Sequence, residues 1–121
     1  NPNQMIRLVN KLNSENTNFY IHIDKDVSID PFKKPLASLK NIKFIEDEDR
    51  VTSIWGDISL VKATIKLLKL IVSDNKKGYC ILLSGQDYPL KNNKYIKNFF
   101  LKNQNPFIAS ITHIFFLRLT L

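Results

Sequence analysis

The sequence predicts an α/β domain, a mainly parallel sheet flanked by helices, and two observations carry that prediction. Short β-branched and aromatic runs alternate along the chain with segments of helical periodicity, an order that calls for parallel strands joined by right-handed crossovers. The run Tyr79-Cys80-Ile81-Leu82-Leu83 has no polar alternation, which is how a central strand covered on both faces reads.

The elements follow in order. Asn3 is placed to cap a first helix of about three turns, in which Met5, Ile6, Leu8, Val9 and Leu12 recur at helical spacing until Asn13-Ser14-Glu15-Asn16. Phe19 to Ile23 is a strand that runs into the polar loop Asp24-Lys25-Asp26. Asp30-Pro31-Phe32 starts a short helix through Leu36 and Leu39, with proline near the first helical position. Ile42 to Ile45 is a brief strand closed by the acidic run Glu46 to Asp49, and Arg50 to Gly56 is irregular. The longest helix follows, capped by Asp57 or Ser59. Leu60, Val61, Ile65, Leu67, Leu68, Ile71 and Val72 are expected inward, and Lys62, Lys66 and Lys69 outward. It ends between Asn75 and Gly78. After the strand at Tyr79 to Leu83 come the turn Ser84-Gly85-Gln86-Asp87-Tyr88-Pro89 and a helix capped by Asn92.

This order leaves two irregularities. The chain opens on a helix, without the strand that should precede it in such a sheet. Residues 106–121 are apolar, with Arg118 their only formal charge. They read either as a core strand cut short or as a tail unrelated to the native continuation. The expected organisation is therefore an α/β subdomain over 1–105 and an apolar tail over 106–121.

Composition narrows the function classes. A chain of 121 residues, 44% hydrophobic and 24% charged, is ordinary for one globular domain. It contains no apolar run long enough for a membrane-spanning helix. Cys80 is the only cysteine, which precludes an internal disulfide and reads as a buried, inert thiol. The net charge of +7 and pI near 9.6 raise the question of nucleic acid. The lysines are scattered over solvent faces, and no aromatic platform interleaves with arginine, which argues against it. A smaller anion such as a diphosphate, or an anionic membrane surface with which the protein associates peripherally, stays open.

Ligands of open parallel sheets bind beyond the carboxyl ends of the strands. Three such ends are readable: Asp24 to Asp26, Glu46 to Arg50, and Ser84 to Pro89. A carboxylate there can accept hydrogen bonds from a uracil imide or ribose hydroxyls, and a glycine lets a ligand approach the backbone. Nucleotide binding is the first hypothesis, against the plainer readings of each residue. Asp24 can cap a turn, Trp55 can be core, and Asp87 can bond its own backbone. His22, flanked by apolar residues, reads as a satisfied core histidine. Tyr79, Tyr88 and Tyr95 read as packing residues.

Three blocks sharpen this hypothesis: Phe19 to Lys25; Arg50-Val51 with Trp55-Gly56 and Ser59 to Ala63; and Leu82 to Lys91. In order and spacing, from about Asn1 to Lys102, they resemble signature blocks of the core-2/I-branching β-1,6-N-acetylglucosaminyltransferases. The resemblance implies a Rossmann-like, GT-A-type nucleotide-binding half and inverting transfer of a sugar, GlcNAc first, from a UDP-sugar to a glycan hydroxyl. It also implies that no divalent metal is needed. Asp24 then falls where the family's strand-end aspartate meets uridine, with Lys25 beside it and Trp55 lining the nucleotide, while Gly85 and Asp87 line the pocket. The turn holds one carboxylate where other GT-A enzymes have Asp-x-Asp, and Asp24-Lys25-Asp26, which spells that motif, follows the wrong strand.

The family takes its general base from a glutamate and its diphosphate contacts from basic residues in a C-terminal half. No glutamate follows Glu48, so the chain is expected to be an incomplete, inactive piece with its catalytic residues elsewhere. A non-catalytic nucleotide- or glycan-binding module is the alternative. Richness in Lys, Asn and Ile, with no paired cysteines, suggests a bacterial cytoplasmic protein, at most peripheral at the inner membrane face.

Overall fold

The computed structural model describes residues 1–54, 56–102 and, for the backbone alone, 113–119. Four parallel strands form one sheet in the order β2-β1-β4-β3. They are β1 (Thr17–His22), β2 (Ile42–Phe44), β3 (Gly78–Ser84) and β4 (His113–Leu119), and the helices are α1 (Pro2–Leu12), α2 (Asp30–Lys33), α3 (Ser59–Ser73) and α4 (Asn93–Lys102). Part of the apolar 106–121 segment thus lies inside the sheet, where β4 pairs with β1 on one side and β3 on the other.

The hydrophobic pattern distributes the helices between the two faces. Met5, Leu8, Val9 and Leu12 of α1 pack with Phe19, Ile21 and Ile23 of the β1 segment and with Phe32 and Leu36, and Ile96 of α4 joins this cluster. The opposite face of β1 presents Tyr20 to Leu67 and Ile71 of α3. From β1 the chain steps outward to β2 through α2, then back across the sheet to β3 through α3. Right-handed crossovers taken in opposite directions put their helices on opposite faces, as observed.

Several local expectations shift by a residue or change kind. The cap of α1 is Asn1, not Asn3: its Oδ1 accepts from Gln4 N at 3.4 Å, and Pro2 occupies the first helical position, where no N–H is missed. The helix begun at Asp30 continues past Lys33 only as a 3₁₀ turn, Lys34–Leu36. Pro35 has no N–H to offer an α-helical bond, so the tighter turn takes over. Asn92 caps α4 as read, its Oδ1 accepting from Tyr95 N at 2.8 Å.

α3 and β3 require larger corrections. Neither Asp57 nor Ser59 caps α3 from the N-cap position, which Ile58 holds without a side-chain bond. The buried residues of α3 are Ser59, Ala63, Leu67 and Ile71, one per turn, whereas Val61, Ile65, Leu68 and Val72 are exposed. Only a narrow stripe of α3 meets the sheet, because it crosses over β1 and leaves its flanks open. β3 lies at an edge of the described sheet rather than at its centre, and its burial alternates: Tyr79 is buried while Cys80 and Leu82 are exposed. The reading of Cys80 as a buried thiol is therefore wrong. An unalternating apolar run reports only that both faces could be covered. The end of α3 matches the sequence reading, with Asn75 in the left-handed region at φ 50°.

Candidate functional site at the carboxyl ends of the strands

The strand order reverses between β1 and β3, and the carboxyl ends flanking that reversal are where an open parallel sheet offers a crevice. His22 at the end of β1 and Ser84 at the end of β3 are both in register with Leu119 of β4. Asp24 and Gly85, each just past its strand, therefore emerge at the same edge of the sheet. One strand separates them, so the two strand axes are about 10 Å apart. That edge is built from two of the three sequence blocks.

At the β1 end, the loop after Asp49 is fastened to the strand by side chains pointing out of it. His22 is fully buried, and its Nε2 accepts a hydrogen bond from Val51 N at 2.9 Å. A ring nitrogen that accepts carries no proton, so the neutral ring holds its hydrogen on Nδ1. Burial pushes the imidazole below its usual pKa despite the opposing pull of Asp24, with Arg50 and Lys66 adding to the depression. Lys25 N donates to Val51 O at 3.2 Å. The Asp24 carboxylate completes the fastening: Oδ2 accepts from Ser53 N at 2.7 Å and Oδ1 from Asp26 N at 2.9 Å. Burial opposes its ionisation, but these N–H donors outweigh burial and hold the carboxyl below its usual pKa.

Asp24 thus has a definite structural duty. At 9% exposure it joins the end of β1 to the segment leading to Trp55. Trp55 itself lies outside the described residues, so its expected place against a nucleotide has no counterpart in the geometry. Gly56 follows with φ +79°, a left-handed conformation in which a Cβ would meet nothing within 4 Å, so backbone strain alone favours glycine there. Ser59 Oγ secures the same segment from the α3 side, accepting from Ile54 N at 2.9 Å. The Lys25 side chain is exposed at the loop.

Arg50 is the residue whose role the sequence reading missed. Its Nη1 donates to the backbone carbonyls of Asp24 at 2.9 Å and Val27 at 2.8 Å, and its Nε stands 2.9 Å from Asp47 Oδ1. Nη1 uses its two N–H donors on the two carbonyls while Nε faces the carboxylate, so one guanidinium serves three groups at once. A usable signal was present: Arg50 is one of only three arginines in a chain whose cations are otherwise lysine.

The β3 end is organised by its own turn. Asp87 Oδ2 accepts from Ser84 N, and Gln86 N donates to Ser84 Oγ at 3.2 Å. Asp87 therefore shapes the turn, the plainer of the two roles considered for it. It also borders a small apolar cavity of about 180 Å³ beneath α1 and α4, with Leu8, Leu83, Tyr88 and Ile96. Asp24 and Asp87 share the sheet edge but no described cavity. Of the three tyrosines read as packing residues, Tyr79 is buried, while Tyr88 and Tyr95 are about half exposed. Arg7 lies 5.5 Å from the Tyr88 ring centre.

Comparison with known proteins agrees with the blocks that converge here. The family model described as core-2/I-branching enzyme matches residues 2–114. No curated protein and no solved structure matches the chain. A match over nearly the whole sequence is decisive: the chain belongs to the core-2/I-branching enzyme family, a family of glycosyltransferases.

Proposed function

We propose that this chain supplies the nucleotide-facing half-site of a GT-A-type glycosyltransferase that moves a sugar, GlcNAc first among the candidates, from a UDP-sugar to a glycan hydroxyl with inversion and without a metal. One observation carries the reading. His22 and Asp24 fasten the Val51–Ser53 segment to the carboxyl end of β1, beside the strand-order reversal. This arrangement fixes the start of the segment leading to Trp55, as a preorganised nucleotide site requires. In the reaction a base takes the proton of the acceptor hydroxyl, whose oxygen bonds to the anomeric carbon as the bond to the diphosphate oxygen breaks. UDP leaves with that electron pair. Lys25 is the exposed cation of the site and Trp55 the stacking surface. The base is not among these 121 residues if it is a glutamate past Glu48.

Because Trp55 is the only tryptophan, its fluorescence reports directly on the site. Titration with UDP should change the emission saturably, with the same affinity in EDTA as in magnesium. Lys25→Ala should weaken binding about tenfold, or about 1.4 kcal/mol. An unresponsive Trp55, with no heat of UDP binding in calorimetry, would overturn the assignment. The second reading is a non-catalytic nucleotide- or glycan-binding module, which the same strand-end loops could equally serve. Product formed by the chain from a UDP-sugar and an acceptor would exclude it.

A further inference from the structure

Away from the strand ends, an open cleft of about 710 Å³ runs along the outer side of β2, between that strand and α3. β2 is the last strand of the described sheet on this side. Its bonds to β1 use alternate residues: Phe19 N donates to Asn41 O at 2.8 Å, and Ile45 N donates to Ile21 O at 2.9 Å. In a parallel ladder with this register, the backbone N–H and C=O of Ile42 and Phe44 point away from β1. Both residues line the cleft. Two donors and two acceptors are thereby offered at the spacing of an adjacent strand.

The surroundings of that edge are apolar at the floor and basic at the rim. Ile45 and Leu70 supply the floor, and Lys33, Lys43, Lys66 and Lys69 the rim. Lys43 is bound to Asp74 at 2.6 Å and Lys66 to Asp49 at 3.0 Å. Lys33 and Lys69, on opposite sides of the edge, make no ion pair among the described residues. Four lysines face two acids in the lining, Glu46 and Asp49, so the cleft retains positive charge after these pairings.

We infer that the cleft is a docking site for an acidic peptide segment that adds to β2 as an extended strand. Its main chain bonds to the outward amides of Ile42 and Phe44, its apolar side chains cover Ile45 and Leu70, and its carboxylates meet Lys33 and Lys69. Backbone pairing supplies affinity in this mode, and the flanking side chains select the sequence. The site lies on the outer side of β2, away from the β3 end of the candidate site, and does not depend on the nucleotide reading.

A fluorescein-labelled peptide of about six residues, valines around a central Glu-Glu pair whose two side chains leave opposite faces of the strand, tests this by anisotropy with the whole chain. Saturable binding is expected, with about a tenfold loss in the Lys33→Glu/Lys69→Glu variant, whose two side chains are solvent-exposed and whose fold circular dichroism checks. N-methylation of the peptide amides that face β2 should abolish binding, whereas methylation of the alternate amides should not. Equal binding of both methylated peptides would overturn the strand-addition mode. Absence of saturable binding would also overturn the inference, leaving the lysines as guards against edge pairing. So would capture by phosphatidylserine vesicles through the same two lysines without peptide binding.

Discussion

Replacing Asp24 by alanine removes both carboxylate oxygens from a site where each has a backbone donor, Ser53 N at 2.7 Å and Asp26 N at 2.9 Å. A hydrogen bond to a charged group contributes about 1.5–3 kcal/mol, and a donor left without a partner and shielded from water adds to the loss. Asp26 is exposed and water can replace its acceptor; Ser53 is half-buried. The expected cost is therefore about 2–4 kcal/mol, mostly from the Ser53 contact. Against a total stability of about 5–15 kcal/mol for a domain, that is a large fraction. Urea unfolding of wild type and Asp24→Ala, followed by far-ultraviolet circular dichroism, measures it. Asp24→Asn keeps one acceptor and should fall between the two. A loss below about 1 kcal/mol for alanine would refute the claim that this carboxylate fastens the loop. Any loss of UDP affinity in the same variant would then report direct contact. With the stability loss present, weakened UDP binding is expected even without direct contact, because the segment carrying Trp55 has been released.

The pH dependence has a defined sign. His22 is held neutral, with a pKa below its usual value of 6.5, so on acidification the unfolded chain takes up this proton first. The His22 contribution should be level above about pH 7 and fall below about 6.5 by at most about 1.4 kcal/mol per pH unit, until the folded-state value is passed. His22→Gln should flatten that region in urea titrations at several pH values, and an unchanged slope would count against the neutral assignment. Tyr20→Phe removes the bond from its hydroxyl to Asp74 Oδ2 at 2.8 Å and should cost about 1 kcal/mol, measured by the same unfolding. The adjacent leucines of α3 separate its faces: Leu67→Ala, at a fully buried position, should lose about 2–5 kcal/mol. Leu68→Ala, at 40% exposure, should lose less than about 1 kcal/mol. Similar losses at both would mean that the outer flank of α3 is covered in solution.

The sequence by itself determined the alternation of helices and strands, the parallel sheet, the cap at Asn92 and the three strand-end blocks. Each of these rests on local chemistry. A strand's side chains repeat every two residues and a helix's every 3.6, a capping side chain reaches its partner within a turn, and strand ends are marked by polar residues. Pro35 was legible in the same way in principle, since a missing N–H acts within its own turn. Only the tertiary structure decided which stripe of α3 is buried, because that helix is apolar on more of its surface than one sheet contact can cover. Likewise it placed Cys80 and Leu82 on an open face and residues 113–119 between β1 and β3. It also gave His22, Asp24 and Arg50 their shared task. His22 and Asp24 are each 29 residues from the Val51 and Ser53 amides they respectively bind, and Arg50 is 26 and 23 residues from its two carbonyls. A pairing at that distance leaves no periodicity in the sequence, because it depends on where two loops arrive rather than on how either one is built.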